Sequence, residues 1–260
     1  MRPAENLRQV GLARALSKLG YCSRSKAAEL IREGRVRLNG TVRTDPEMPV
    51  HLGGDRIEVD RQNVRAATKI YLMLNKPRGV VTTASDENNR ETVYSCLDAT
   101  LPWVGPVGRL DKASEGLLLL TNDTEWAASI SDPNTQLEKI YHVQVGVLAN
   151  ETLVTALVRG VQVGVGESFR AKRANILRLG EHNSWLEIVL VEGKNRQIRR
   201  MFEALEIDVL RLIRIAVGPL QLKQLAKGKF RELTAEEKRS IDRALHESTP
   251  RRTLPETQDR

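Results

Sequence analysis

Four consecutive leucines, Leu117 to Leu120, constrain this chain more than any other feature. A half-exposed strand alternates apolar and polar residues. An unbroken apolar run between Gly116 and the polar Thr121-Asn122-Asp123 therefore predicts a strand buried on both faces. The chain has to build a sheet covered on both sides. Its 260 residues, 40% of them hydrophobic, supply core for one sizeable domain and a small one. Just before the leucines, GPVGRLDKASEG (105 to 116) sets one carboxylate, Asp111, between Arg109 and Lys112 in a glycine-rich loop. Cations on both sides favour an ionised carboxylate, which acts as a nucleophile or a charge stabiliser rather than as a general acid. Local composition leaves two readings open for Asp111, such a reactive group or a turn residue in an ion pair.

The first sixty residues follow a different period. Leu12, Ala15, Leu16 and Leu19 predict a helix that Gly20 ends. Ser23 is placed to cap a second helix, with Ala27, Ala28, Leu30 and Ile31 inward and Gly34 as its stop. Asn39-Gly40 predicts a hairpin turn, and HLGGDRIEVD (51 to 60) a further turn and a short strand. Residues 1 to 65 carry 13 Lys and Arg against eight acids, and the whole chain has a formal charge of +8, which favours a polyanionic partner such as nucleic acid. No apolar run is long enough to span a membrane, and the N-terminus lacks the apolar core of a signal peptide. Cys22 and Cys96 have no metal-ligand spacing and read as two reduced cysteines of a cytoplasmic protein.

Beyond a polar linker at 61 to 69, expected to let the two parts move, IYLMLNKPRGVVTT (70 to 83) predicts a strand, a turn at Lys76 to Gly79 and a second strand. Residues 85 to 93 form a polar, mobile loop in this reading, and Thr92 to Leu97 a short helix. Strands are predicted at 141 to 147, 170 to 179, 185 to 193 and about 210 to 222, with helices at 150 to 161 and 196 to 205. The second helix turns Ile198, Met201, Phe202 and Leu205 inward, exposes Arg196 and Arg200, and leaves Arg199 near the boundary. Thr234 and Glu237 form a capping box for a last helix, and residues 247 to 260 are expected to be disordered. Residues 192 to 231 form a second basic cluster, with ten bases against four acids. Glu115 and Asp123 are expected to face solvent or cap a turn, which weakens a two-carboxylate glycosidase. No zinc-protease, phosphate-loop, serine-elbow or dinucleotide motif is present.

The string LARALSKLGYCSRSKAAELIREGRVRLNG, within residues 10 to 58, resembles the S-four type of RNA-binding module. That resemblance implies that Arg24, Lys26, Arg35 and Arg37 face RNA. Four later segments, LNKPRGVVT, GRLDKASEGLLLLTND, LEKIYHVQV and EGKNRQIRRMFEALEIDVLRLIRIAVGPLQL, are similar in that order to the motifs of pseudouridine synthases of the RsuA/RluB-type branch. The fold this implies is α+β: a small N-terminal α/β RNA-binding module over residues 10 to 60, then a mixed, mainly antiparallel-sheet catalytic domain over 70 to 246 with flanking helices. By resemblance Asp111 is the nucleophile, Tyr141 stacks on the target base and Arg199 pairs with the aspartate. Arg109 holds the RNA open, Lys76 and Lys139 are motif lysines, and Arg196 and Arg200 are further RNA contacts. Thr124 departs from the glycine usual in the family. The implied activity is isomerisation of uridine to pseudouridine in ribosomal RNA, with 23S favoured over 16S, and it requires no cofactor or metal. The expected partner is ribosomal RNA or an assembling ribosomal subunit, the expected state a monomer. A non-catalytic ribosome-associated RNA-binding protein is the alternative, and a nucleoside glycosidase a weaker one.

Overall fold

The computed structural model describes residues 9–83 and 90–248. Most of the loop expected at 85 to 93, and all but the first two residues of the tail expected at 247 to 260, lie outside the described residues.

The described residues open with β1 (Gln9–Gly11), α1 (Leu12–Lys18) and α2 (Arg24–Arg32). Ser23 Oγ accepts the Lys26 N–H at 3.1 Å, satisfying one of the donors that a helix start leaves open. Gly20 and Gly34 follow the two helices with φ of +75° and +71°. β2 (Val36–Leu38) and β3 (Thr41–Arg43) are joined through Asn39 and Gly40, whose φ values of +53° and +81° are those a tight two-residue hairpin demands. β4 (Pro49–His51) pairs with β1, and β5 (Ile57–Val59) and β6 (Gln62–Asn63) complete a sheet of order β3-β2-β5-β6. Leu12, Leu16, Ala27, Ile31, Val36 and Val50 are fully buried in the core of this part. Burial also pushes the Cys22 thiol up to about 11, against the opposing charge of Lys26, which leaves an unreactive thiol at neutral pH.

The chain continues through β7 (Tyr71–Lys76), a 3-10 turn at Val93–Cys96, β8 (Gly105–Val107), β9 (Glu115–Thr121) and α3 (Thr124–Ser131). β10 (Lys139–Val145), α4 (Glu151–Arg159), the hairpin β11 (Val161–Gly164) and β12 (Glu167–Phe169), β13 (Arg173–Leu179) and β14 (Ser184–Leu190) come next. The last elements are α5 (Gln197–Ala204), β15 (Val209–Val217), β16 (Leu220–Gln221), β17 (Phe230–Glu232) and α6 (Ala235–Ser248). The second strand expected after the Lys76–Gly79 turn does not form. Val81 makes only an isolated bridge to Thr92, because Thr82 is drawn aside to bond Leu110. Thr124 opens α3, and Asp123 caps it by accepting the Trp126 N–H at 3.3 Å.

Two compact units emerge, one of residues 1–112, 118–128 and 226–232, the other of 113–117, 129–225 and 233–260. In the first, β8 runs antiparallel to β9 from Gly105↔Thr121 to Val107↔Leu119, and β17 runs antiparallel to β7. Leu72 to Leu74 and Leu118 to Leu120 are buried there, and every residue of β9 is buried, as the run of leucines predicts. In the second, an antiparallel sheet of order β13-β14-β10-β15 receives the first residues of β9 in parallel through Ile213↔Glu115 and Arg214↔Gly116. Val143, Leu157, Phe169, Leu186, Ile188, Met201 and Phe202 fill its core, so α5 buries the face that its spacing implied. Thr234 and Glu237 exchange side-chain to backbone hydrogen bonds of 2.9 and 3.1 Å at the start of α6. The class is α+β with a mixed, mainly antiparallel sheet. Among the described residues no helix is long and apolar enough to cross a membrane.

Candidate active site

In the first unit the backbone around Asp111 is held at three consecutive residues. Lys76 is carried inward at the end of β7 and is completely buried. Its ammonium donates to the carbonyls of Asp111 and Pro77, both at 3.1 Å, which offsets part of the cost of taking that charge from water. Thr82 Oγ1 donates to Leu110 O at 2.7 Å and accepts the Leu110 N–H at 3.3 Å. Gly79, at φ +97°, turns its N–H onto Lys112 O at 2.8 Å. The carboxylate thus stands on a loop whose path is fixed on either side of it. Arg109 is exposed on the same loop, after Gly108 at φ +68°.

Tyr141 and Arg199 belong to the second unit. Tyr141 lies half-buried in β10, opposite Ile188 of β14 and Arg214 of β15. Arg214 is 7% exposed, and its Nε donates to Leu117 O at 2.8 Å. On its other side it faces Gly116, where a Cβ would fall 2.2 Å from Arg214 O, so only glycine lets β9 approach β15. Arg199, on α5, donates to Ala113 O at 3.0 Å and so holds the chain two residues after Asp111. Lys139 donates to Val191 O at 3.2 Å, and burial, reinforced by the nearby charge of Arg214, holds its ammonium below the usual lysine range.

Glu115 corrects an expectation. It does not face solvent. It is 3% exposed and takes a bidentate bond from Arg211, with both N–O distances 3.1 Å. A carboxylate in a strand covered on both faces needs a cation within reach, and Arg211 supplies it while lying 5.6 Å from the Trp185 ring. In the sequence Arg211 and Arg214 stand out only as members of the second basic cluster. Arg214 had a signal: it shares the inward phase of Leu212 and Ala216 in LRLIRIAV, and an arginine in that phase has to be engaged inside.

The remaining candidates are cations at the surface. In the N-terminal module Arg24 pairs with Glu47 at 2.9 Å and Lys26 with Glu29 at 2.7 Å, while Arg35 bonds Asp60 through two nitrogens and Arg37 donates to Gly40 O at 3.1 Å. Solvent screens exposed pairs of this kind, so a phosphate can take over any of these cations at little cost. Arg196 is exposed at the start of α5 in the left-handed region, at φ +48°. Arg200 pairs with Glu167 and lies 4.7 Å from the Phe169 ring, beside Lys194 at 4.9 Å.

The model of the RNA pseudouridylate synthase family matches residues 70–204, and that of the S4 domain matches residues 10–57. Over 236 residues the chain is 38% identical to "Ribosomal large subunit pseudouridine synthase B" of Bacillus subtilis, covering 90% of this chain and 96% of that one. It is 34% identical over 242 residues to the protein of the same description in Pseudomonas aeruginosa, covering 89% of this chain and 60% of that longer one. A solved pseudouridylate synthase matches with a TM-score of 0.63 at 29% identity, over 89% of this chain and 99% of the other. The chain belongs to the RNA pseudouridine synthases and carries an N-terminal S4 domain.

Proposed function

We propose that this enzyme isomerises a uridine of ribosomal large-subunit RNA, with 23S RNA preferred to 16S, and that Asp111 is its nucleophile. The observation that carries the role of Asp111 is the fixation of its loop, with Leu110, Asp111 and Lys112 each tied by the buried Lys76, by Thr82 or by Gly79. A nucleophile held in place has its orientational entropy removed before substrate arrives. The choice of RNA rests on the likeness to the large-subunit synthases above.

In this reading the target uridine leaves the helical stack, at a cost of a few kcal/mol that stacking on Tyr141 partly offsets. The Asp111 carboxylate adds either to the anomeric carbon or to ring carbon six. The bond from the anomeric carbon to ring nitrogen one breaks, the ring turns, the anomeric carbon bonds to ring carbon five, and the bond to the Asp111 carboxylate breaks to free the enzyme. Carbon five then loses its proton and nitrogen one gains one, so substrate and product are isomers. Arg199 is the charge partner of the aspartate, Arg109 keeps the RNA open, and Arg24, Lys26, Arg35, Arg37 and Arg196 bind phosphates.

The test supplies the enzyme with large- and small-subunit ribosomal RNA lacking modification, maps pseudouridine, and repeats the assay with Asp111→Asn. New pseudouridine in the large-subunit RNA, absent with a variant that still binds RNA, is the expected result. A wild-type protein that binds without marking either RNA is a binding protein only, and release of free uracil makes it a glycosidase.

A further inference from the structure

β9 begins just after the Asp111 loop and ends in Thr121-Asn122-Asp123, and this end is built around a stretch of chain some fifty residues earlier. Asn122 is completely buried. Its amide oxygen accepts the Ile70 N–H at 2.9 Å, and its amide nitrogen donates to Thr68 O at 2.8 Å. Thr121 Oγ1 donates to Ile70 O at 2.6 Å, and Tyr71 donates its hydroxyl to Asp123 at 2.9 Å. The same segment is tied on its other side, where the Ala67 N–H donates to Leu19 O at 2.8 Å. Gly20, at φ +75°, closes the contact: a Cβ there would lie 3.2 Å from both Ala67 Cβ and Asn122 Nδ2. Lys18 of α1 reaches Glu125 of α3 at 2.5 Å. Residues 67 to 71, the joint between the S4 domain and the rest of the chain, are therefore gripped between the end of α1 and the end of β9.

We propose that Asn122 is a specificity-determining positioning residue. By locking the joint it fixes the distance from the S4 domain to the Asp111 loop, and so selects which uridine is modified. The proposal rests on the reading of Asp111 as the catalytic group. Its chemistry is that of a carboxamide, which alone among short side chains offers one good acceptor and two donors, matching the N–H and C=O it meets. An aspartate of the same size keeps the bond to Ile70 but sets an anion against Thr68 O. Val64 still packs against the core of the S4 domain, but residues 65 to 69 beyond it carry no apolar side chain larger than alanine, so these hydrogen bonds are what hold that stretch.

The experiment compares wild type, Asn122→Asp and Tyr71→Phe, each as the full chain. Peptide-level hydrogen exchange over residues 64 to 75 reads the lock directly. Asn122→Asp is expected to speed exchange there by about tenfold or more, as the loss of a buried hydrogen bond implies, and Tyr71→Phe by a few-fold. Activity is measured on large-subunit RNA and on a short stem-loop holding the uridine that wild type marks. On the long RNA the expected result is a raised KM, a retained kcat and marks on neighbouring uridines. On the stem-loop, which the S4 domain does not measure out, kcat/KM stays at the wild-type value.

Unchanged exchange in both variants overturns the lock. Faster exchange with an unchanged site and KM on the long RNA overturns the link to specificity, and equal losses on both RNAs make Asn122 merely structural. If Asn122→Asp does not fold, Tyr71→Phe decides by the same readings. A wild type that marks no uridine refutes the catalytic reading instead, and with it the specificity role, while the exchange data still decide whether the lock exists.

Discussion

Gly116→Ala offers the sharpest test of how β9 is held. A Cβ at Gly116 would sit 2.2, 2.9 and 3.0 Å from the O, N and C of Arg214, all of them backbone atoms with no side chain to swing away. Reaching ordinary contact moves the Arg214 carbonyl by roughly 1 Å, and a repulsion this steep is not absorbed in place. The φ of +102° itself costs an alanine about 1–3 kcal/mol. Displacing the parallel pairing at Ile213↔Glu115 and Arg214↔Gly116 removes about two hydrogen bonds at about 1 kcal/mol each. The stiffer unfolded chain returns about 0.4–1 kcal/mol, leaving a net loss of about 3 kcal/mol. Gly108→Ala, in the loop between β8 and β9, is the control. Its φ is +68° and nothing lies within 4 Å of the added Cβ, so the left-handed cost of about 1–2 kcal/mol less the same return leaves about 1 kcal/mol or under. Urea unfolding followed by circular dichroism and tryptophan fluorescence measures both variants, and two probes are used because two units need not unfold together. The expected gap is about 2 kcal/mol, a factor of about 30 in the unfolding constant. Equal losses for the two alanines, within about 0.5 kcal/mol, would show that β15 yields to the new methyl and would refute the reasoning.

Two further substitutions test the charges of the second unit. Arg211→Met takes the bidentate partner from the buried Glu115 and is expected to cost about 2 kcal/mol, below the range for a wholly buried pair because Arg211 is 40% exposed. Glu115→Gln added to it is expected to restore more than half of that loss in urea unfolding, and no restoration would mean that charge is not what the pair supplies. For His142, burial holds the imidazole below its ordinary 6.5, against the opposing pull of Glu187 at 3.9 Å. Its contribution to stability is therefore complete above pH 6.5 and lost as pH falls through the depressed folded value. Glu187→Gln is expected to lower that midpoint further in a ring-proton NMR titration, and a rise would reverse the assignment.

Features governed by near neighbours were legible in the sequence. Ser23 caps α2, Asn39-Gly40 turns a hairpin and Thr234 and Glu237 form a capping box, because each bond spans at most three residues. The inward face of α5 and the burial of β9 follow from periodicity in the same way. What escaped is settled across the chain. Glu115 looked solvent-bound because its partner Arg211 is 96 residues away, and the polar 61 to 69 segment looked slack because Asn122, which grips its end, lies more than fifty residues on. Thr82 sat in a plausible strand, yet its hydroxyl is engaged by Leu110, 28 residues later, and the strand is lost. Asp111, Tyr141 and Arg199 were singled out by resemblance to motifs. Arg214 was not, although the two-residue period of β15 marks it as inward.

The run of leucines also shows what hydrophobic pattern leaves undecided. In a half-exposed strand a one-residue slip turns apolar side chains to water, so the pattern sets the register. β9 is buried on both faces, and after such a slip a leucine still stands where a leucine stood. Burial therefore fixes that the strand is inside and says nothing about how far along it sits. The two ends supply that. At the start only Gly116 tolerates the Arg214 carbonyl, and Glu115 beside it must meet Arg211. At the finish Asn122 must present its oxygen to Ile70 and its nitrogen to Thr68. A slip in either direction buries a carboxylate and an amide away from these partners, at about 1–3 kcal/mol for each group stranded. Register in this strand is thus a polar property carried by its ends, and the leucines between them pass it on to the loop that carries Asp111.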